Sequence, residues 1–198
     1  MVLFINCCVR KESRTLTITK ELLKSFDNVK EIKLFEIDFP KVNEEFIERR
    51  NNLINNGNFN DSMFDLAKEF SQAKEIVIAA PYWDFSFPAS LKQYIEQINV
   101  IGITFKYNAD GIPQGLCKAN KLYYVTTSGG NYAPDEYGFG YIKELAQSFY
   151  GIKDVVKIEA NGLDIDGANP ELIIKETIDK LNNKWGLNNA KIRDNCFN

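Results

Sequence analysis

The chain alternates between short apolar runs and longer segments in which apolar residues recur every three or four positions. The short runs predict five strands, because they have the length and the β-branched content of strands buried in a sheet. The longer segments predict amphipathic helices. We expect strands at residues 2–6, 31–37, 76–80, 121–127 and 153–159, and helices at 15–26, 43–54, 61–70, 88–100, 140–150 and from 170 onward.

The order of these elements, β-α-β-α-α-β-α-β-α-β-α, predicts an α/β fold with a parallel sheet and helices on both faces. Strand order 2-1-3-4-5 is the natural arrangement for five such strands. It places the carboxyl ends of the first, third and fourth strands side by side, at the edge where open α/β sheets bind ligands. We expect one domain over residues 1–198, of which residues 186–198 form a polar, Asn-rich tail.

The loop after the third predicted strand is rich in aromatic residues. Pro81 ends the strand because it has no N–H to donate to a neighbouring strand. The residues that follow it are Tyr82, Trp83, Asp84 and Phe85. Their rings either form a small core beneath a surface loop or provide a wall for a planar ligand.

Cationic and hydroxyl side chains cluster between the first predicted strand and the first predicted helix. They are Arg10, Ser13, Arg14 and Thr15. Together with the free N–H groups of a helix start, such side chains favour a phosphate site. The alternative is that Ser13 or Thr15 only caps the helix. The glycine-rich dinucleotide fingerprint and the Walker A lysine motif are absent from the sequence, which favours a mononucleotide.

The fourth predicted strand runs into a glycine-containing loop, whose candidate residues are Thr127, Ser128, Gly129, Gly130 and Tyr132. Two glycines at the end of a strand allow the backbone to approach a ligand and to present N–H groups to it. A glycine turn without a ligand is the equally good alternative. A second loop, residues 101–121, is long and rich in turn signals, and its Phe105 and Tyr107 could cover a ligand or contact a partner subunit.

The predicted strand order brings three of these loops together: residues 10–15, 81–87 and 127–132. Each loop alone is a weak indication of function. A hydroxyl-rich phosphate loop, an aromatic loop and a glycine loop at one edge of a parallel sheet together indicate a site for flavin mononucleotide, FMN.

Composition limits the remaining possibilities. The net charge of −3 and the lack of a basic run argue against a nucleic-acid partner and against an anionic membrane surface. The N-terminus does not have the cationic start and long apolar core of a signal peptide, and no run of 18 apolar residues occurs. We therefore expect a cytoplasmic protein.

The sequence contains no histidine, which excludes Ser-His-Asp and Cys-His nucleophilic catalysis and imidazole metal ligands. The four cysteines are Cys7, Cys8, Cys117 and Cys196. They include no C-x-x-C pair, so no metal site is predicted. Cys7 and Cys8 are expected to behave as small apolar side chains, and a thiol switch is the weaker alternative. An enzyme of this composition must rely on carboxylates, lysine, tyrosine, cysteine or a cofactor.

Four segments together carry a resemblance to a known family: residues 80–85 (APYWDF), 91–94 (LKQY), 102–107 (GITFKY) and 127–130 (TSGG). In their order and spacing, from the first strand to about the fifth, the chain resembles the FMN-dependent NADH:quinone oxidoreductases of the azoreductase type. These belong to the flavodoxin-like NAD(P)H dehydrogenase (quinone) family.

The resemblance implies a flavodoxin-like fold, non-covalent FMN, and a homodimer with flavin sites near the subunit interface. It implies that Ser13, Arg14 and Thr15 hold the phosphate, with Arg10 as a helper. It also implies that residues 82–85 run along the flavin edge and that residues 127–130 approach its pyrimidine end.

Three departures from the family pattern bear on the site. Cys7 and Cys8 stand where the family often has hydroxyl side chains, and Asp84 stands where asparagine is usual. Tyr132 occupies a position where azoreductases commonly have histidine. Its hydroxyl could donate towards the O2 side of the flavin, where negative charge develops on reduction.

We hypothesise a ping-pong reductase that takes a hydride from NADH or NADPH and passes two electrons to a quinone, an azo compound or a similar flat acceptor. The candidate residues of the substrate cavity are Trp83, Phe105, Tyr107 and Tyr132. The alternative is a flavodoxin-like electron carrier or flavin-sensing module that turns over no small molecule.

Overall fold

A computed structural model describes residues 1–185; the predicted polar tail, residues 186–198, and Cys196 lie outside the described residues. The strands are β1 Val2–Asn6, β2 Val29–Lys33, β3 Glu75–Ala79, β4 Phe105–Tyr107, β5 Pro113–Gly115, β6 Lys121–Thr127 and β7 Asp154–Ala160. The α-helices are α1 Arg14–Leu23, α2 Glu44–Asn55, α3 Asp65–Gln72, α4 Ala89–Ile98, α5 Phe139–Glu144 and α6 Pro170–Trp185.

Five strands form a parallel sheet in the order β2-β1-β3-β6-β7. Since β4 and β5 lie outside this sheet, the order is the predicted 2-1-3-4-5 arrangement, and that prediction is confirmed. The carboxyl ends of β1, β3 and β6 are therefore adjacent, because each strand pairs in parallel with the next.

The two faces of the sheet are buried in separate hydrophobic clusters. Strand residues alternate between the faces, so that neighbours in one strand contribute to different clusters. One face packs on α3 and α4 and includes Leu3, Ile5, Ile76, Ile78, Phe70 and Leu91. The other packs on α1 and α6 and includes Val2, Phe4, Val77, Ala79, Ile18 and Leu181. Each large aliphatic side chain buried in this way contributes about 1.5–3 kcal/mol.

The second strand ends earlier than its sequence pattern suggests. We predicted a strand over residues 31–37, but β2 ends at Lys33 and Leu34–Glu36 form a 3-10 turn that buries Leu34. The only neighbour of β2 in the sheet of described residues is β1, and Lys33 pairs with Asn6, the last residue of β1. Beyond that register position the edge strand has no partner for its backbone.

The segment that we predicted as a long loop contains an antiparallel hairpin. Strand β4 pairs with β5 from Phe105 opposite Gly115 to Tyr107 opposite Pro113. The side chain of Asn108 organises the turn, since its Oδ1 accepts hydrogen bonds from the N–H groups of Asp110 and Ile112. Strands of three residues are too short to produce a detectable alternation of apolar and polar positions.

The helix predicted over residues 140–150 changes its winding part of the way along. Helix α5 ends at Glu144, and Leu145–Phe149 continue as a π-helix. The π-helical turn places the Phe149 ring 4.6 Å from that of Phe105, which anchors the hairpin to the domain. No helix within residues 1–185 is both long and apolar enough to span a bilayer. The cytoplasmic location stays a prediction.

Candidate functional site

A cleft of about 480 Å³ opens at the carboxyl ends of β1, β3 and β6. Ten residues predicted from the sequence line it: Arg10, Ser13, Arg14, Thr15, Pro81, Tyr82, Trp83, Thr127, Ser128 and Gly129. Five more line it without having been predicted: Cys8, Val9, Glu12, Leu163 and Asp164. The volume is within the range of sites for small molecules and cofactors.

The first turn of α1 forms one end of the cleft. Ser13 is the N-cap, and its side-chain oxygen accepts a hydrogen bond from the N–H of Leu16 at 3.3 Å. The first N–H groups of a helix have no acceptor within the helix, and the cleft that this helix start lines is also lined by Arg10 and Arg14. The two interpretations of Ser13 are therefore compatible, because the residue caps the helix and also lines the cleft.

A hydroxyl pair joins this end of the cleft to the sheet. Thr15 Oγ1 lies 2.7 Å from Thr127 Oγ1, and both side chains are buried. Either hydroxyl can be the donor of this bond. The hydroxyl that accepts still has its own O–H group to donate. The pair fixes the start of α1 against the end of β6.

The aromatic loop forms a second wall. The N–H of Tyr82 donates to the carbonyl of Thr127 at 3.0 Å, which continues the β3–β6 pairing past the strand ends. The Tyr82 hydroxyl donates to the carbonyl of Pro134 at 3.3 Å. Trp83 remains 38% exposed. Of the two interpretations of this loop, the geometry favours the wall, because Tyr82 and Trp83 face an open cleft.

The next residues turn sharply away from the cleft. Trp83 and Ser86 exchange two backbone hydrogen bonds, at 3.0 and 2.7 Å, around Asp84 and Phe85. Asp84 and Phe85 have φ of 49° and 66°, as in a two-residue turn of type I′, which normally selects Asn and Gly. The turn carries the Phe85 ring to within 6.1 Å of the Tyr132 ring in an edge contact.

The glycine-containing loop forms the third wall, and the loop after β7 supports it. The carbonyls of Ser128, Gly129 and Gly130 accept from the N–H groups of Leu163, Asp164 and Gly162, respectively. These hydrogen bonds join the loop after β7 to the glycine-containing loop beyond the strand ends. They bring Leu163 and Asp164 into the cleft. The turn signals of residues 161–167 (NGLDIDG), directly after the fifth strand, could have indicated this loop.

Charges of both signs line the cleft. Arg14 Nη1 lies 2.6 Å from Asp164 Oδ1, in an ion pair of two partly exposed side chains. Arg10 and Glu12 add one further charge of each sign. The cleft is therefore not uniformly cationic, although its helix N-terminus and its two arginines favour an anion at that end.

The two adjacent cysteines are buried, and the prediction that they act as small apolar side chains is confirmed. Cys7 and Cys8 project to opposite faces of the sheet and belong to different hydrophobic clusters. Burial raises the pKa of the Cys8 thiol to about 11 and the pKa of the Cys7 thiol well above its ordinary value. Both thiols are therefore protonated near neutral pH.

The structure does not bring every predicted residue to the cleft. Those that do not line it are Asp84, Phe85, Phe105, Tyr107, Gly130 and Tyr132. Phe105 is 4% exposed and packs on Tyr107 and Phe149, so it is a core residue of this chain and not a cavity wall. Tyr107 and Tyr132 are exposed. Within residues 1–185, no group of three or more acidic or cysteine side chains is arranged to hold a metal ion.

Residues 1–184 match the family described as Flavodoxin-like fold. The FMN-dependent NADH:quinone oxidoreductase of Clostridium perfringens strain SM101 is 35% identical over 190 residues, covering 90% of this chain and 94% of that protein. The protein of the same name from Clostridium beijerinckii is 33% identical over 189 residues, with the same coverage of 90% and 94%.

Solved structures show the same fold. An azoreductase from Bacillus anthracis strain Sterne superposes with a TM-score of 0.81 at 22% identity, covering 93% of this chain and 97% of that one. An FMN-dependent NADH-azoreductase from Bacillus anthracis strain Ames Ancestor, solved in complex with FMN, gives a TM-score of 0.78 at 23% identity, with the same coverage.

Proposed function

This chain belongs to the flavodoxin-like family that contains the FMN-dependent NADH:quinone oxidoreductases, and from this we propose that it is an FMN-dependent NAD(P)H oxidoreductase. Its substrates are quinones, azo compounds or similar flat acceptors. One observation carries the proposal: a single cleft combines a helix N-terminus with two arginines at one end and an aromatic wall beside it. The first feature suits a phosphate and the second a planar ring system.

The residues at the end of the cleft that contains the start of α1 fit the phosphate of FMN. Arg10 and Arg14 offer guanidinium donors, and Ser13 and Thr15 offer hydroxyls next to the free N–H groups of α1. Phosphate oxygens accept strongly from such donors, and Arg–phosphate bonds are about twice as strong as neutral hydrogen bonds. We assign the phosphate to these four residues.

The remaining walls fit the ring. Tyr82 and Trp83 form one wall, and Thr127, Ser128 and Gly129 form the neighbouring wall. Gly129 contributes only backbone to its wall, because the space that a Cβ would occupy is taken by the carboxylate of Asp164. When bound, FMN supplies the hydride chemistry that links a nicotinamide to the acceptor. The side chains of this protein bind the ring, orient it and leave one of its faces accessible.

Proton supply does not require histidine in such a site. The Tyr82 hydroxyl is committed to the carbonyl of Pro134, whereas Tyr132 is 78% exposed. Tyr132 remains our candidate donor towards the O2 side of the ring, although in this chain its ring contacts Phe85 outside the cleft. Water supplies the other protons. The name shared by the relatives favours NADH over NADPH as the donor.

We also propose a homodimer. Four aromatic side chains remain exposed beside the cleft or on the hairpin: Trp83, Phe85, Tyr107 and Tyr132. A second subunit that covers some of them would complete the substrate cavity. Size-exclusion chromatography with light scattering tests this assembly, and a monomer at micromolar concentration would contradict it.

Anaerobic reduction tests the activity. The purified protein loaded with FMN should bleach when NADH is added, and the reduced protein should regain its yellow colour when a quinone is added. An electron carrier would bind FMN but would not bleach with NADH or NADPH. Protein that takes up no FMN would contradict both functions.

The assignment of the phosphate has its own test. Arg10→Ala should weaken FMN binding about ten- to a hundredfold, since a charge-assisted hydrogen bond contributes about 1.5–3 kcal/mol. It should leave riboflavin binding unchanged, because riboflavin has no phosphate. Lys11→Ala is the matched control, because Lys11 is an adjacent exposed cation outside the cleft lining.

A further inference from the structure

Asp164 lines the phosphate end of the cleft although we did not predict it from the sequence. Its Oδ1 lies 2.6 Å from Nη1 of Arg14, and its N–H donates to the carbonyl of Gly129 at 2.9 Å. A Cβ at position 129 would lie 2.5 Å from Oδ2 of Asp164. The carboxylate therefore occupies the space that the glycine leaves, and two elements of the cleft fix its position.

The ion pair contributes little to stability. The side chains of Arg14 and Asp164 are 41% and 66% exposed, and ion pairs of that exposure have small net free energies. Its effect on an anion in the cleft is larger, because a carboxylate at 2.6 Å offsets much of the positive charge of Arg14 and also repels a phosphate directly. Both effects weaken the binding of a phosphate and leave the binding of an uncharged ligand unchanged.

We propose that Asp164 is a specificity-determining residue, a counter-charge that competes with the ligand's phosphate for Arg14. It limits how much more tightly the cleft binds a phosphorylated flavin than an unphosphorylated one. This inference rests on the proposed function. Because of this counter-charge, bound FMN should exchange with free FMN faster than it would if only Arg10 and Arg14 acted on its phosphate.

The Asp164→Asn variant isolates this charge. It keeps the shape of the side chain and its backbone hydrogen bond, but it releases Arg14 from the ion pair. We expect the dissociation constant of FMN to fall about three- to tenfold, mainly through slower dissociation. That of riboflavin should change by less than about twofold. The gain should shrink as the salt concentration rises, since partly exposed charges are screened.

Asp166→Asn is the matched control. Asp166 is exposed in the same loop and does not line the cleft. Its substitution makes the same change in net charge as Asp164→Asn, but outside the cleft. Asp164→Glu keeps the charge and should retain a ratio of FMN to riboflavin affinity near that of the wild type. Flavin fluorescence titration of the apoprotein measures every affinity, and circular dichroism verifies that each variant is folded.

The outcomes separate this inference from the proposed function. If the wild-type protein binds neither flavin, the proposed function fails. If it binds FMN and the Asp164→Asn and Asp166→Asn variants behave alike, the role of Asp164 is overturned. Weaker FMN binding in Asp164→Asn would also overturn it, because it would show that the ion pair holds Arg14 in the binding position.

Discussion

Thr15 and Thr127 lie 112 positions apart in the chain, yet their hydroxyl oxygens are 2.7 Å from each other. Thr15 is in the first turn of α1, and Thr127 is the last residue of β6. Both side chains are buried and both line the cleft. The bond therefore couples the stability of the sheet to the geometry of the end of the cleft where we place the phosphate.

Removing one hydroxyl of this pair should cost more than removing both. Thr15→Val keeps the shape of the side chain but leaves the Thr127 hydroxyl buried without this partner, which costs about 1–3 kcal/mol. In the Thr15→Val/Thr127→Val double variant neither hydroxyl remains, so much of that loss should be recovered. Urea unfolding of the four proteins of this cycle measures the coupling, and strictly additive effects would contradict it.

The Asp84–Phe85 turn stores backbone strain that glycine should relieve. Phe85 has φ of 66°, and the left-handed region costs a bulky residue about 1–2 kcal/mol. Phe85→Gly loses the half-exposed edge contact with Tyr132, worth about 0.5 kcal/mol, so the free energy of unfolding should rise by about 1 kcal/mol. Phe85→Leu keeps the strain and loses the contact, and it should be less stable than the wild type in the same denaturation assay.

Tyr94 carries a buried hydroxyl for which no residue in the described part of the chain provides a hydrogen-bond partner. An unpaired buried hydroxyl costs about 1–3 kcal/mol. Tyr94→Phe should therefore raise the free energy of unfolding by about 1 kcal/mol. Tyr150→Phe is the control and should lower the free energy of unfolding, since the Tyr150 hydroxyl donates a hydrogen bond to Asn99 Oδ1 at 2.7 Å. Chemical denaturation that shows both variants destabilised would argue against an unpaired hydroxyl at Tyr94.

The buried Cys8 thiol should make stability depend on alkaline pH. Burial raises its pKa to about 11 in the folded protein, above the value of about 8.5 for an unfolded cysteine. The folded state thus holds the proton more tightly, so the stabilisation is complete below about pH 8.5 and is lost as the pH rises towards 11. By pH 10 the loss is about 1–2 kcal/mol.

A comparison with the Cys8→Ser variant isolates the contribution of the Cys8 thiol to stability, because serine does not titrate between pH 8 and pH 11. The other titrating groups are the same in both proteins, so the difference between their unfolding free energies should shrink from pH 8 to pH 10. A difference that stays constant over this range would mean that the Cys8 thiol does not titrate as expected.

The sequence by itself determined the architecture of the sheet and two-thirds of the cleft's lining. Apolar periodicity and the breaks at proline and glycine are local signals, and they were sufficient for the five strands of the sheet and for the loops that contain Ser13, Trp83 and Gly129. The strand order was the natural arrangement for five parallel strands. Parallel strands in that order must end at one edge, so the convergence of the three loops followed from the order alone.

Tertiary structure decided the features that depend on neighbours distant in the chain. Lys33 ends its strand because its partner strand ends at Asn6, and Phe105 is buried because a π-helical turn brings Phe149 against it. Asp164 enters the cleft because the loop after β7 pairs with the backbone of residues 128–130. Hydrogen bonds and ring contacts between distant segments leave no periodic trace in either segment, which is why only the folded chain reveals them.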